Sequence, residues 1–311
     1  DEASVRDVAA AIRAAGDIEA IAVNLLFSYV NPVHERRVRD ILREELPDVP
    51  VSISFDVLPK WKEFERASTT IADAYIKPIL QRYLRDMEQR FRDLGVRAET
   101  AMIKSNGGEM TPAAAAEHPI HLTISGPTGG IVAGRAVAQE LDCDHVVTLD
   151  MGGTSTDCST IVQHEIAFTT NFEIAFGLPI QIPMLDIRTI GAGGGSIAWI
   201  DKGGMLRVGP HSAGANPGPA CYGRGGTAPT VTDANVVLGR INPENFLGGT
   251  MALASDRAEA AIAAIAGPLG LSVLATADAI IRIVNTNMVG ALRTVLIERG
   301  LDPRDFSLMA F

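Results

Sequence analysis

Residues 146–157 constrain the fold of this chain more than any other part of its sequence. Four residues that favour β-strands run into Asp150, two glycines, three hydroxyl side chains and a second acidic residue, Asp157. Two glycines between strand-forming residues are a common signal for a hairpin turn. The pattern therefore predicts a β-hairpin, which is either a simple tight turn or a turn that wraps a phosphate group.

The residue types in this turn suit an anion. Gly152 and Gly153 let the backbone approach a phosphate because no Cβ stands in the way. Their N–H groups, together with those of Thr154 and Ser155, can form an anion-binding nest. The two flanking carboxylates are too negative to touch phosphate directly, so they make chemical sense mainly beside a divalent cation.

Charge and cysteine content exclude several other classes of protein. The formal net charge of the 311 residues is −10, which disfavours a nucleic-acid partner. The three cysteines are too few and too scattered for a disulfide framework or a zinc site, and they indicate a reduced, cytoplasmic location. The uncharged segment 260–277 is interrupted by Gly-Pro-Leu-Gly, so it predicts two short core helices and no membrane span.

The composition of the two ends of the chain gives two further predictions, of which the first is that no signal peptide is present. The first residues have neither a basic nor an apolar region of the kind found in a signal peptide. The last six, residues 306–311, have the composition of a buried strand. Because a native terminus rarely ends on a bare apolar strand, we expect this chain to be a piece of a longer polypeptide that is inactive alone.

The first part of the chain, residues 1–143, alternates helices with apolar strands, which indicates a mixed α/β layer. Predicted helices span residues 5–14, 32–45, 71–94 and 131–141, with Pro78 as a kink or break in the third. Either Ser125 or Thr128 is expected to cap the helix that closes this part. Predicted strands span residues 20–27, 51–55, 98–103 and 121–124.

The second part, residues 144–311, begins with strands at 146–149, 159–162 and 165–169. A second glycine loop at 191–196 is either a hairpin bend or an active-site loop, and residues 203–227 are predicted as a long loop. A helix then opens with Thr232 or Asp233 as its N-cap, and Ser255 is expected to cap the next. The last predicted helix spans residues 276–299.

Six motifs in sequence order resemble the ATP-dependent hydantoinase/oxoprolinase family, specifically the central domain of its A-type subunit. The resemblance covers nearly the whole chain, and each motif alone would be weak. The motifs are Ser-Asn-Gly-Gly at 105–108, Ser-Gly-Pro at 125–127, the stretch 150–157, Gly-Ala-Gly-Gly-Gly-Ser at 191–196, Gly-Pro-Ala-Cys-Tyr at 218–222 and Pro-Thr-Val-Thr-Asp-Ala-Asn at 229–235.

The resemblance implies an actin-like ATPase (ribonuclease H-like) fold, with mixed sheets, flanking helices and only part of the second half of the cleft. It implies ATP and Mg²⁺ as cofactors and a small cyclic amide or ketone as substrate, whose oxygen ATP activates. It also implies a B-type partner subunit or domain, and a homo-oligomer is compatible with it. The reaction would be hydrolysis of a hydantoin or 5-oxoproline type of amide, or alternatively carboxylation of a ketone.

On this reading the predicted site comprises two catalytic carboxylates and a set of phosphate-binding groups. Asp150 would orient Mg²⁺ through water, and Asp157 would support the hairpin or the metal shell. The cofactor-binding residues are Gly152, Gly153, Thr154, Ser155, Thr156, Gly193 and Gly194.

An actin- or chaperone-like protein, which uses ATP to drive assembly or conformational change, is the alternative from another class. The chaperones carry a glutamate where this chain has Gly126, so no catalytic role transfers to that position. For Asp233 and Cys221 the structural readings, a helix cap and a small buried residue, are favoured over catalytic ones. His118 and His121 straddle Pro119, which argues against a metal site there.

Overall fold

The computed structural model describes residues 1–170, 172–175 and 177–311. It confirms the prediction of an α/β protein with mixed sheets. The helices are α1 (Glu2–Ala15), α2 (Val33–Glu45), α3 (Ser54–Val57), α4 (Glu63–Asp93), α5 (Pro112–Glu117), α6 (Ser125–Glu140), α7 (Val231–Val237), α8 (Ser255–Leu269) and α9 (Val273–Ile297). The strands are β1 (Ile21–Val23), β2 (Val51–Ile53), β3 (Met102–Ile103), β4 (Glu109–Met110), β5 (His145–Met151), β6 (Thr156–Val162), β7 (Glu165–Ile166), β8 (Phe168–Thr169), β9 (Phe172–Ala175), β10 (Leu178–Ile180), β11 (Met184–Leu185), β12 (Arg188–Ile190), β13 (Ser196–Ile200), β14 (Leu206–Ser212) and β15 (Ser307–Ala310).

The chain packs as two compact units. The first comprises Asp1–Val132 and Phe168–Leu185, and the second comprises Ala133–Ala167 and Asp186–Phe311. The division falls inside α6, upstream of the boundary after residue 143 that the sequence suggested. It also assigns β8 to β11 to the first unit.

The first unit is built on a short parallel pair of strands. β1 and β2 run side by side, with Ile21 opposite Val51. Helix α1 ends at Gly16, whose φ of 74° is the left-handed conformation that favours glycine at a helix end. The apolar faces of α1 and α2 meet the strands in one core cluster, formed by Ala9, Val23, Leu42, Leu46, Val51 and Ile53.

Two predictions for the first unit are wrong in detail. Helix α4 runs for 31 residues through Pro78 without a break, because it packs along its length against β1, β2 and β10. The strand predicted at 121–124 is absent, and Pro119–Leu122 forms a 3-10 turn instead. The Asp73 carboxylate accepts the N–H of Ile120 at 3.1 Å, which anchors this turn to α4.

The second unit is organised around a mixed sheet with the strand order β12-β6-β5-β15. Strands β5 and β6 are antiparallel from His145 opposite Val162 to Met151 opposite Thr156. β15 pairs in parallel with β5, which confirms a strand at residues 307–310. Its side chains are largely exposed, with Leu308 57% exposed, so the expectation that they are buried is wrong.

Helices α7, α8 and α9 pack on the hairpin of β13 and β14 and form the main core of the second unit. This cluster consists of Ala192, Ala198, Val208, Val231, Ala234, Ile262, Ala277, Ile280, Ile281 and Val284. Within the described residues, α9 is the one helix long and apolar enough to span a membrane by length and composition. Its Ile280 and Val284 lie in this core, while Arg282 and Arg293 are exposed, as in a core helix.

Three predictions for the second unit need correction. Residues 203–227 are not one long loop, because they contain β14, which pairs with β13 across a short turn. The glycine and proline at 209–210 hid its strand pattern in the sequence. The N-cap of α7 is Thr230, and that of α8 is Ala254, each one or more residues before the predicted caps.

Candidate phosphate-binding site

The turn between β5 and β6, residues 152–155, is the centre of the predicted site. The N–H of Gly152 donates to the carbonyl of Ser155 at 2.9 Å and closes the turn. Gly152, Gly153 and Thr154 are exposed, and Ser155 is half-buried. The hairpin predicted from the sequence is therefore present, with its turn open to solvent.

Three consecutive amides of this turn are free for a ligand. Among the residues that the structure describes, the N–H groups of Gly153, Thr154 and Ser155 have no hydrogen-bond acceptor. Consecutive unpaired N–H groups in a turn are the feature that makes an anion-binding nest. Three unpaired N–H groups therefore lie in the turn, and their binding of phosphate stays a prediction.

The carbonyl groups of the turn are engaged by a second glycine loop, residues 191–195, which connects β12 to β13. The N–H of Gly194 donates to the carbonyl of Gly152 at 3.1 Å, and that of Gly195 donates to the carbonyl of Gly153 at 2.6 Å. Because carbonyl oxygens repel phosphate, their hydrogen bonds within the protein are compatible with an anion at this turn.

The second glycine loop approaches the turn too closely for any side chain. A Cβ at Gly193 would lie 2.7 Å from the backbone N of Thr154, and a Cβ at Gly195 would lie 2.9 Å from the carbonyl oxygen of Gly153. A Cβ at Gly194 would lie 2.9 Å from the hydroxyl of Thr232. The loop therefore packs directly against the backbone of the turn and braces it.

The polar groups of the brace are satisfied within the protein. The N–H of Gly193 donates to the hydroxyl of Ser196 at 2.8 Å. Both the N–H and the hydroxyl of Thr232, at the start of α7, donate to the carbonyl of Gly194 at 2.8 Å. Direct nucleotide binding by Gly193 and Gly194 stays a prediction, and their visible contacts support the turn.

The three hydroxyl residues of the motif lie in different environments. The Thr156 side chain is fully buried and donates to the carbonyl of Ala192, so its hydroxyl is occupied within the protein. The Ser155 hydroxyl has no partner in the described part of the chain. The Thr154 hydroxyl lies 3.2 Å from that of Ser212 on β14. Thr154 and Ser155 are therefore the hydroxyls available to a ligand.

The two carboxylates face each other across the hairpin. Asp150 and Asp157 are directly opposite in the β5–β6 ladder, and opposite residues project from the same face of a sheet. Burial raises the pKa of Asp157, the hydroxyl of Thr189 opposes that shift by hydrogen bonding, and the charge of Asp150 adds to it. Two like charges in this arrangement favour a cation beside them.

The carboxylates of Asp150 and Asp157 fit a Mg²⁺ ion that is bound jointly by protein and phosphate. No group of three or more His, Cys, Asp or Glu side chains suited to a metal occurs among the described residues. Magnesium usually binds through one or two carboxylates together with phosphate oxygens and water. The Asp150–Asp157 pair provides that number of carboxylates next to the free amides of the turn.

The raised pKa of Asp157 gives a prediction about stability. A carboxyl group that holds its proton more strongly in the folded state lowers the free energy of unfolding as pH rises through its folded pKa. Asp157→Asn removes this penalty and can keep the Thr189 hydrogen bond. We expect the variant to have a higher Tm than wild type at pH 7, with the difference shrinking as the pH falls through the folded pKa of Asp157 and vanishing below about pH 4.

Asp201 is a control of opposite sign for that experiment. The Arg207 guanidinium, together with backbone N–H groups, lowers the pKa of Asp201. Asp201→Asn should therefore lower the Tm at pH 7, with the effect fading at low pH. A lower Tm for Asp157→Asn at pH 7 would contradict the assigned cost of the Asp157 charge, which comes first from burial and then from the charge of Asp150.

Asp233 has a structural role that the sequence showed only in part. It is fully buried at the third position of α7, where it completes a capping box with Thr230. Its carboxylate also accepts the N–H of Ala220 at 3.2 Å and that of Cys221 at 2.8 Å. Cys221 is fully buried, and burial raises the pKa of its thiol, which agrees with a packing role.

Sequence reasoning missed several residues that build the site. Thr189 and Ser212 contact the hairpin, and each lies in a strand far along the chain. Thr232 was considered only as a helix cap. No local spacing marks these residues, since each reaches the site only through strand and helix packing.

Comparison with known families identifies relatives over almost the whole chain. The family model described as Hydantoinase/oxoprolinase matches residues 66–311, and the model described as Hydantoinase/oxoprolinase N-terminal region matches residues 1–46. Caprolactamase subunit alpha of Pseudomonas jessenii is 44% identical over 307 residues, which are 96% of this chain and 44% of that relative.

Two solved structures share the fold. The crystal structure of the ATP-dependent caprolactamase from Pseudomonas jessenii matches with a TM-score of 0.77 and 42% identity, covering 100% of this chain and 45% of that one. A nucleotide-free structure of acetone carboxylase, an enzyme of ATP-dependent acetone carboxylation, matches with a TM-score of 0.85 and 33% identity, covering 99% and 44%. The chain thus spans less than half the length of these relatives.

Proposed function

This chain belongs to the hydantoinase/oxoprolinase family, and on that premise we propose that it is the phosphate-binding part of an ATP-dependent, cytoplasmic cyclic-amide hydrolase. The observation that carries the proposal is the exposed β5–β6 turn with three free amides beside two opposed carboxylates. The actin-like ATPase fold expected from the sequence is part of the proposal, and the α/β architecture supports it.

The reaction follows from the chemistry of a lactam. The carbonyl carbon of a cyclic amide is a poor electrophile because the nitrogen donates its lone pair. Transfer of the γ-phosphoryl group of ATP to the carbonyl oxygen breaks the bond to ADP and forms an oxygen–phosphorus bond. Water then attacks the activated carbon and the ring C–N bond breaks, which leaves an acyl phosphate. A second water attacks its carbonyl carbon, and phosphate leaves with the former lactam oxygen.

The residues of the turn would act by positioning and charge compensation. Phosphoryl transfer depends mainly on alignment and on donors aimed at the phosphate oxygens. The amides of Gly153, Thr154 and Ser155 would bind those oxygens, and the hydroxyls of Thr154 and Ser155 would add donors. Asp150 and Asp157 would hold Mg²⁺, which neutralises phosphate charge when bound.

A partner subunit would complete the enzyme. The name of the caprolactamase relative denotes one subunit, and the chain spans 44% of that relative. We propose a B-type subunit or domain as the partner, in line with the family resemblance. The substrate class would then depend partly on residues outside this chain.

Ketone carboxylation is the second candidate. The TM-score of 0.85 to acetone carboxylase supports it. The same turn would phosphorylate a ketone oxygen, and bicarbonate would supply the carbon. The two reactions differ in product, because hydrolysis yields an amino acid and carboxylation yields a keto acid.

Isotope labelling tests the proposal in the full polypeptide with its partner subunit. We expect ATP hydrolysis to rise at least tenfold with caprolactam, 5-oxoproline or hydantoin, and ¹⁸O from the labelled carbonyl to appear in the released phosphate. Mass spectrometry of phosphate and product gives the answer. Stimulation by acetone and bicarbonate alone would favour the carboxylase, and turnover indifferent to all of these compounds would favour an assembly- or chaperone-type ATPase.

A further inference from the structure

The Ser212 hydroxyl on β14 forms a small hydrogen-bond relay at the exposed edge of the β5–β6 turn. Its oxygen accepts the N–H of Gly214 at 3.1 Å and lies 3.2 Å from the hydroxyl oxygen of Thr154. The neighbouring N–H of Ala213 donates to the carbonyl of Gly195 at 2.8 Å, which fixes this end of β14 against the second glycine loop.

The direction of the Ser212–Thr154 hydrogen bond decides what Thr154 offers a ligand. A serine hydroxyl has one hydrogen and can accept as well as donate. The Ser212 oxygen already accepts the N–H of Gly214. In the arrangement that also uses the Ser212 hydrogen, the Ser212 hydroxyl donates to the Thr154 oxygen. The hydrogen of Thr154 then has no acceptor in the described residues and is free for an anion.

We propose that Ser212 is a positioning residue that holds the Thr154 hydroxyl as a donor toward the terminal phosphate of ATP. The inference rests on the proposed function of the turn and extends it to a residue 58 positions further along the chain. Ser212 itself need not touch the nucleotide. It acts by fixing both the place of the Thr154 oxygen and the direction of its hydrogen.

The close packing around Ser212 supports a defined geometry. A Cβ at Gly195 would lie 2.9 Å from the Ser212 oxygen, so only glycine at position 195 leaves room for the hydroxyl. Ser212 is half-buried and Thr154 is exposed. The relay therefore lies at the solvent-facing edge of the turn, where a ligand can reach the Thr154 hydroxyl.

A double-mutant cycle tests the inference in the full polypeptide with its partner subunit. Ser212→Ala should raise the KM for ATP about fivefold, the effect of one ordinary hydrogen bond, while the Tm changes little. Ser212→Thr keeps the hydroxyl and should restore the KM. In a Thr154→Ala background, Ser212→Ala should cause no further change, because the group that it positions is gone.

The possible results distinguish a failure of the Ser212 relay from a failure of the proposed phosphate site. If Thr154→Ala raises the KM for ATP and Ser212→Ala does not, or if the two effects simply add, the relay is refuted and the phosphate site stands. If Thr154→Ala itself leaves the KM unchanged, the Thr154 hydroxyl is not a phosphate ligand and the relay is refuted, while the backbone amides of the turn are untouched by that variant. Failure of the proposed function would appear separately, as ATP turnover that does not respond to any substrate in the isotope experiment. Thr286→Ala is the control and should leave the KM unchanged. It removes an exposed hydroxyl on α9 that donates to the carbonyl of Arg282.

Discussion

Replacing Asp150 with alanine in the full polypeptide is expected to lower ATP turnover by a factor of about 10² to 10³ while the protein stays folded. Removing one group that stabilises developing charge in a preorganised site typically has an effect of this size. Asp150 is half-buried and faces Asp157 across the hairpin. Its removal relieves a like-charge repulsion, so the loss of turnover should come without a loss of stability.

The measurement is the kcat for ATP hydrolysis together with the Tm. Asp144→Ala is a matched control, because Asp144 immediately precedes β5 and its side chain is 70% exposed, 3.4 Å from His164. We expect near wild-type turnover for that variant. Wild-type-like turnover for Asp150→Ala would refute its assignment as a magnesium-orienting residue. A large fall in Tm would instead indicate that the Asp150 carboxylate has a structural role. Asp150→Asn, which removes the charge but keeps the shape of the side chain, would then show whether the charge is needed for turnover.

Replacing Gly193 with alanine is expected to have the largest effect on stability and to weaken nucleotide binding as well. The new methyl group would lie 2.7 Å from backbone atoms of Thr154 and 2.8 Å from the backbone carbon of Gly153. Backbone cannot rotate away as a flexible side chain can, so the turn or the loop must shift. Overpacking of this kind typically costs about 1–3 kcal/mol.

Urea unfolding gives the free energy of unfolding of this variant, and steady-state kinetics gives its KM for ATP. Gly267→Ala in α8 is the matched control, because a Cβ there meets no atom within 4 Å. That change should stabilise the protein by about 0.5–1 kcal/mol. If Gly193→Ala unfolded at the wild-type urea concentration and bound ATP normally, the second glycine loop would not be the brace of the turn.

The hairpin could be predicted from the sequence because its signals are local. Strand-forming residues, two glycines and the flanking carboxylates lie within twelve positions, and the structure places Asp150 opposite Asp157 as a hairpin requires. The brace could not be predicted in the same way. Gly194 reaches Gly152 through backbone hydrogen bonds, and Thr232 reaches Gly194 from 38 residues away.

The errors in the fold prediction have the same physical origin. Local propensity favoured a break at Pro78, but packing along α4 outweighs the lost hydrogen bond. The alternation of polar and apolar residues at 121–124 suggested a strand, yet the Asp73 carboxylate accepts the preceding N–H of Ile120. In both places a contact with distant residues decides the conformation, and no pattern in a single sequence records such a contact.

The hydrogen bonds from Gly194 and Gly195 to the carbonyls of the turn have a thermodynamic consequence for ligand affinity. Neither peptide plane can flip without breaking a bond to the loop behind it, so the amides keep one orientation before any phosphate arrives. The conformational entropy of this segment is lost during folding. Little of it remains to be lost on association, and more of the interaction energy is therefore expressed as binding.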